Sequence, residues 1–318
     1  MERIVLYIWL NVIFFLNFSC SCNAQEKCLR FCKKAEDKKV NQYYKQVDAT
    51  MSKAKSLIDY IILRDDGSNI TSNVSIHFTN KYYKGAYACY PCVVITKEFF
   101  QKQILDLGYK SDINNLSEIE IETIVYGSLS HEYAHILAQS IYSEKPAHSN
   151  LLETTIMQEY HADFICGFLA AKVLWDTLKK RCQTQHDVLT ILMNMLDEDP
   201  NVIAAVRNDF NALFDCLMNQ IAPYRHVAIL NHTLKSRTHG DPEERIKLFN
   251  LGIAYAILDG VGKYSPKSNI EESIIKQLKI KILEPLLIQQ FGLRKEDIAY
   301  RQIKLGQLWI IGIKYISK

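Results

Sequence analysis

The sequence predicts a mostly helical α+β protein in which a short N-terminal sheet precedes a long helix bearing paired histidines. Three observations predict it. Residues 74–79 alternate as a strand does, and residues 82–96 read as one or two more strands. From residue 98 onward apolar residues recur at helical spacing, with Pro146, Pro200 and Pro223 as punctuation. The run Ser130-His131-Glu132-Tyr133-Ala134-His135 sets two histidines four residues apart, which on a helix places their rings on one face.

In chain order, residues 1–24 read as an export signal. Arg3 gives a positive start, residues 4–18 are apolar except for Asn11 and Asn17, and Ala24 offers a small residue before Gln25. The apolar run is short for a membrane span. Phe18-Ser19-Cys20 is also a loose lipoprotein-processing site, so a lipid-modified Cys20 or Cys22 is the alternative. Residues 26–63 read as a helix, charged at first and then apolar at Leu57, Ile58, Ile61 and Ile62. Asp65-Asp66-Gly67-Ser68-Asn69 stops it. After the strands, helices are expected at 98–107, 118–143, 151–180, 187–196, 202–221, 242–258, 270–291 and 295–315. Ser117 caps the second of these, and Ile121, Ile124, Val125, Leu129, Ile136 and Leu137 give it an amphipathic stripe. Pro242 opens another, followed by Glu243 and Glu244 where a helix favours acidic residues. No internal repeat or low-complexity linker interrupts the chain. Gly260-Val261-Gly262 is the best candidate boundary before a C-terminal helical segment.

The His131-Glu132-x-x-His135 pattern carries the chemistry. Two imidazoles one helical turn apart grip one metal ion, and Glu132 beside them takes a proton from a metal-bound water. Zinc suits nitrogen and oxygen donors and lowers that water's pKa to about 7. Catalytic zinc keeps three protein ligands and an open position, so a third ligand is required. Metzincins place Gly and His after the second histidine, but Ala138 and Ile141 stand there and exclude that solution. Glu159, on the next helix, supplies the ligand instead. Asp163, one turn further, accepts the other ring N–H of a ligand histidine. Ala162 and Gly167 are small enough for that helix to approach the first closely. His161 points away from Glu159 on a helix, His148 sits in a solvated loop, and His226 and His232 have no partner pattern.

His131-Glu132-x-x-His135 followed by Glu159-x-x-Ala162-Asp163-x-x-x-Gly167 resembles the gluzincin zinc metallopeptidases, in particular the HtpX, BepA and CAAX-prenyl-protease group and the related neutral zinc metallopeptidases. Gly85-Ala86-Tyr87-Ala88-Cys89-Tyr90-Pro91 resembles that group's substrate-holding edge strand, which implies that Ala86, Tyr87 and Ala88 bind peptide. His239-Gly240-Asp241-Pro242-Glu243-Glu244-Arg245 resembles its late His-Pro-x-x-x-x-Arg segment, with Gly240 in place of the proline. There the resemblance implies that His239 donates to the oxyanion and that Arg245 orients it or contacts the same anion. The bland alternative is a histidine ahead of a helix and a salt-bridged arginine. The resemblance covers about residues 74–258 and implies a zincin-like catalytic domain over 25–260, with 261–318 packed on it.

A net charge of +3 is too small to argue for nucleic acid or an anionic membrane. A hydrophobic fraction of 48% and a charged fraction of 23% are those of an ordinary globular protein. No second stretch is apolar and long enough to span a membrane. Of the nine cysteines, Cys20 and Cys22 leave with the signal. The close pairs Cys28/Cys32 and Cys89/Cys92 form either structural disulfides, as an oxidising compartment allows, or a second zinc site. Cys166 reads as a buried thiol. The sequence thus points to an exported zinc endopeptidase acting on a peptide or protein. The alternatives are a catalytically inactive binding or assembly-quality-control protein, and an exopeptidase or amidase. We expect a mature N-terminus near Gln25, to be read by N-terminal sequencing of exported material; a diacylated Cys20 or Cys22 would overturn the cleavage site.

Overall fold

The computed structural model describes residues 30, 32, 45–66, 73–79, 85–106, 116, 118–144, 155–181, 240–263 and 265–316. Among them run α1 (Lys45–Asp66), β1 (Ser75–Thr79), β2 (Ala86–Cys89), β3 (Cys92–Thr96), α2 (Lys97–Asp106), α3 (Glu118–Glu144), α4 (Thr155–Arg181), α5 (Pro242–Gly262) and α6 (Asn269–Leu278). A π-helical stretch (Lys279–Leu283), α7 (Glu284–Gln289), a 3-10 turn (Lys295–Asp297) and α8 (Leu305–Ile316) complete them. The protein is mostly helical with one small sheet. The export signal and the helices expected at 187–196 and 202–221 lie outside the described residues.

The sheet has the order β1-β3-β2, with β1 parallel and β2 antiparallel to β3. All of β3 is buried. Its alternate residues serve two faces: Val93 and Ile95 join the main core, while Cys92 and Val94 meet Cys32 on the other side. Cys32 is bonded to Cys92, and Cys89 is also in a disulfide. The Cys32–Cys92 bond therefore ties the segment around Cys32 to the β2–β3 hairpin. Cys166 is a buried free thiol on α4.

The expected amphipathic stripe on α3 is corrected by its burial. From Ile121 to Leu137 almost every described side chain is buried, because α1, α2, α4 and the strands surround the helix. A helix wrapped on all sides has no polar face to keep. Polar residues there instead need partners, as Glu122 has in Lys53 of α1 at 2.9 Å. On α1, Val47, Met51, Ala54, Ile58 and Ile62 form the buried stripe.

Gly167 also departs from its expected role. It faces α5 and not α3: a Cβ on it would lie 2.0 Å from the Phe249 carbonyl oxygen. Gly252 is its counterpart, 2.0 Å from the Phe164 carbonyl by the same measure. The two helices run parallel with their backbones nearly touching, which only glycine on both sides permits. α5 continues to Gly262, past the expected end at Leu258, and so absorbs the boundary glycines. The helix expected at 295–315 is broken. Its middle is extended because Asp259, fully buried on α5, takes the Ile303 N–H at 2.7 Å and holds it off a helical path. Asp259 also pairs with Lys172 and, at 3.0 Å, with Lys263. Leu287, Leu293, Ile303, Leu308 and Trp309 sit in the same core as α3, α4 and α5. No helix among the described residues is long and apolar enough to cross a membrane.

We expect Gly167→Ala and Gly252→Ala each to lower the unfolding free energy by about 1–3 kcal/mol through overpacking against backbone. Gly260→Ala, which meets nothing within 4 Å, should be neutral or slightly stabilising. Denaturant titration measures all three, and equal effects at 167 and 260 would contradict the close crossing.

Candidate metal centre

α3 and α4 are antiparallel neighbours, joined at one level by the Cys166 thiol, 3.5 Å from the Gly127 carbonyl. One turn toward the α3 C-terminus, His131 faces Asp163; another turn on, His135 faces Glu159. The His131 and His135 Nε2 atoms are 3.2 Å apart. Glu159 places Oε2 3.4 Å from His131 Nε2 and Oε1 3.4 Å from His135 Nε2. These separations test whether the residues fit a metal. Ligands about 2.0–2.1 Å from zinc in tetrahedral array lie about 3.3 Å from one another. The two histidine nitrogens are near that spacing, each faces its own Glu159 oxygen, and one ligand atom from each residue lies within 4.8 Å of the others, so this His131, His135 and Glu159 group could hold a metal ion.

The surroundings fix the ligands. Asp163 Oδ1 lies 3.1 Å from His131 Nδ1. An N–H donated there leaves the His131 Nε2 lone pair facing the centre. Arg245, from the first turns of α5, donates from Nε to Asp163 Oδ2 and from Nη2 to Glu159 Oε2 at 2.9 Å. Its side chain is 2% exposed. By contrast His135 and Glu159 keep 18% and 14% of their side chains exposed, so the centre opens to solvent on that side.

The charges report the same demand for a cation. Burial opposes a charged His135 imidazole, but the hydrogen bond to Glu159 and the charges of Glu159, Glu132 and Asp163 outweigh it and raise the His135 pKa. Burial likewise opposes ionised Glu159, yet its hydrogen bonds to His131 and His135 hold its carboxyl well below the usual range. Glu132 is largely buried beside these ligands.

Other expected residues fall as follows. Arg245 engages Asp163 through Nε and Glu159 through Nη2, so it holds the two carboxylates of α4. An arginine near a helix N-terminus, where the dipole disfavours cations, was a sequence signal of that engagement. His239, His148, His226 and His232 lie outside the described residues. His161 points away from the centre into a fully buried site against α8, its ring 3.6 Å from that of Trp309 and its Nε2 3.2 Å from the Trp309 carbonyl. Burial pushes its pKa down to about 3, so it is neutral.

Ala86, Tyr87 and Ala88 lie on the sheet's edge. Thr96 N–H donates to the Gly85 carbonyl at 3.2 Å. With the register Ala86↔Ile95 and Ala88↔Val93, the backbone groups of Ala86 and Ala88 then face outward. No further strand among the described residues pairs there. The Ala86 and Ala88 side chains pack on the main core, and Tyr87 is exposed.

Compared with models of known protein families, with curated proteins and with solved structures, the chain matches none.

We expect the purified protein to bind zinc in equimolar amount. Glu159→Ala should reduce affinity most, and Asp163→Asn by about 10- to 100-fold, as for other residues that orient ligands. His161→Ala should leave affinity intact while costing about 2 kcal/mol or more of stability through the cavity beside Trp309. Competition against a chromophoric chelator gives the order, and zinc retained in Glu159→Ala but lost in His161→Ala would refute the ligand assignment.

Proposed function

We propose that this chain is an exported zinc endopeptidase of the gluzincin type, with a zincin-like arrangement of edge strand and two antiparallel site helices. The observation that carries the reading is the convergence of His131 Nε2, His135 Nε2 and the Glu159 oxygens, with Glu132 next to His131 in the chain. When bound, zinc supplies an acidified water and polarises a carbonyl.

The residues do the rest. His131, His135 and Glu159 hold the ion. Asp163 fixes the His131 tautomer, and Arg245 holds both carboxylates in place. Glu132 takes the water's proton and passes it to the leaving amine. The open backbone groups of Ala86 and Ala88 accept an extended peptide as an added strand. His239 is proposed as a donor to the developing oxyanion. Export is part of the reading, and a disulfide with no membrane-crossing helix among the described residues is compatible with it.

Glu132→Gln is expected to abolish hydrolysis of an unfolded protein such as casein while zinc stays bound, because Glu132 is assigned as base and not as ligand. A chelator should stop the wild type reversibly. Turnover by the zinc-loaded Gln variant near the wild-type rate would refute the mechanism, and no turnover by the zinc-loaded wild type would favour an inactive binding protein.

A further inference from the structure

Tyr160 stands next to Glu159 and has no part in the chemistry above. Its hydroxyl accepts the Asp241 N–H at 2.9 Å. Asp241 is the N-cap of α5: its Oδ1 accepts the N–H groups of Glu243 at 2.8 Å and Glu244 at 3.1 Å. Its carbonyl accepts the Arg245 N–H at 3.1 Å. The first turn of α5 is therefore built on a residue that Tyr160 holds.

Gly240 shows how closely. Its φ is +75°, and a Cβ on it would lie 2.5 Å from the Tyr160 ring and 2.8 Å from Ile156 Cγ2. Proline, fixed near a φ of about −65°, has no place there. The family pattern's proline after His239 is thus replaced by the one residue that lets the backbone lie against Tyr160. One turn on, the Arg245 guanidinium returns to α4 and bonds Glu159 and Asp163. The contacts close a ring: Glu159 and its neighbour Tyr160, then Asp241, Arg245 and Glu159 again.

We infer that Tyr160 is a positioning residue of the metal centre. It sets where α5 begins, and through that the reach of Arg245 toward Glu159. The inference rests on the metal-binding reading above. Arg245 holds Glu159 Oε2 while Oε1 faces His135. A displaced guanidinium leaves that carboxylate free to turn away from the histidines. If Tyr160 were only a packing residue, its hydroxyl would affect stability and not the metal.

The test compares zinc affinity of the full chain in the wild type, Tyr160→Phe, Arg245→Lys and the double variant, alongside the thermal midpoints of the zinc-free proteins. Tyr160→Phe keeps the ring and removes one hydrogen bond, so affinity should fall about fivefold. Arg245→Lys should cost about 10- to 100-fold. The double variant should match Arg245→Lys, because Tyr160 acts through Arg245. The visible spectrum of the cobalt-substituted protein should shift in both single variants. Gly240→Ala, which disturbs the same turn from its other side, should also lose affinity. Wild-type affinity in both Tyr160→Phe and Gly240→Ala, with only the zinc-free midpoint lowered, overturns the inference; so do additive losses in the double variant. A wild type that binds no zinc defeats the metal reading itself, and this inference with it.

Discussion

Negative charge has to be balanced around His135, on which Glu159, Glu132 and Asp163 all act. An unpaired carboxylate in a largely buried space costs several kcal/mol. Arg245 answers part of the demand through its bonds to Glu159 and Asp163. His131 and His135 supply nitrogen donors, and the raised His135 pKa marks a site that favours a further positive charge. The fold around it follows. For Arg245 to reach both carboxylates, α5 has to lie almost against α4. Gly167 and Gly252 remove the side chains that would keep the two backbones apart. The N-terminal ends of both helices then point the same way, and their dipoles favour the anionic Glu159 near the start of α4.

Much of this was legible in the sequence because it is written in local spacing. The four-residue step from His131 to His135, and again from Glu159 to Asp163, survives any tertiary arrangement as long as both segments are helical. Asp241-Pro242-Glu243-Glu244 announced a helix start, and Asp241 caps it. The first strand was visible as an alternating stretch, and the other two as a strand-like run over 82–96.

What was not legible depends on partners distant in the chain. The order β1-β3-β2 is a choice among pairings that alternation alone does not make. Gly167 reads as small, but which helix it admits is settled by Gly252 far downstream. The α3 stripe looked amphipathic because its polar residues were taken as solvent-facing; several are buried with partners on α1 or α4, as Glu122 and His131 are. The interruption between residues 297 and 305 follows from Asp259, whose hunger for hydrogen bonds outweighs the helical pattern of the sequence around Ile303.

The bond between Cys32 and Cys92 closes a loop of 60 residues. In chain-entropy terms such a crosslink disfavours the unfolded chain by about 4 kcal/mol, a large share of a typical domain's stability. It also sets Cys32 against Cys92 and Val94 on the outer face of the sheet. In a chain whose thiols are still reduced, that restriction is absent and the segment around Cys32 is not tied to the sheet. The crosslink thus fixes which segment lies on the outer face of the sheet, on the side opposite the main core.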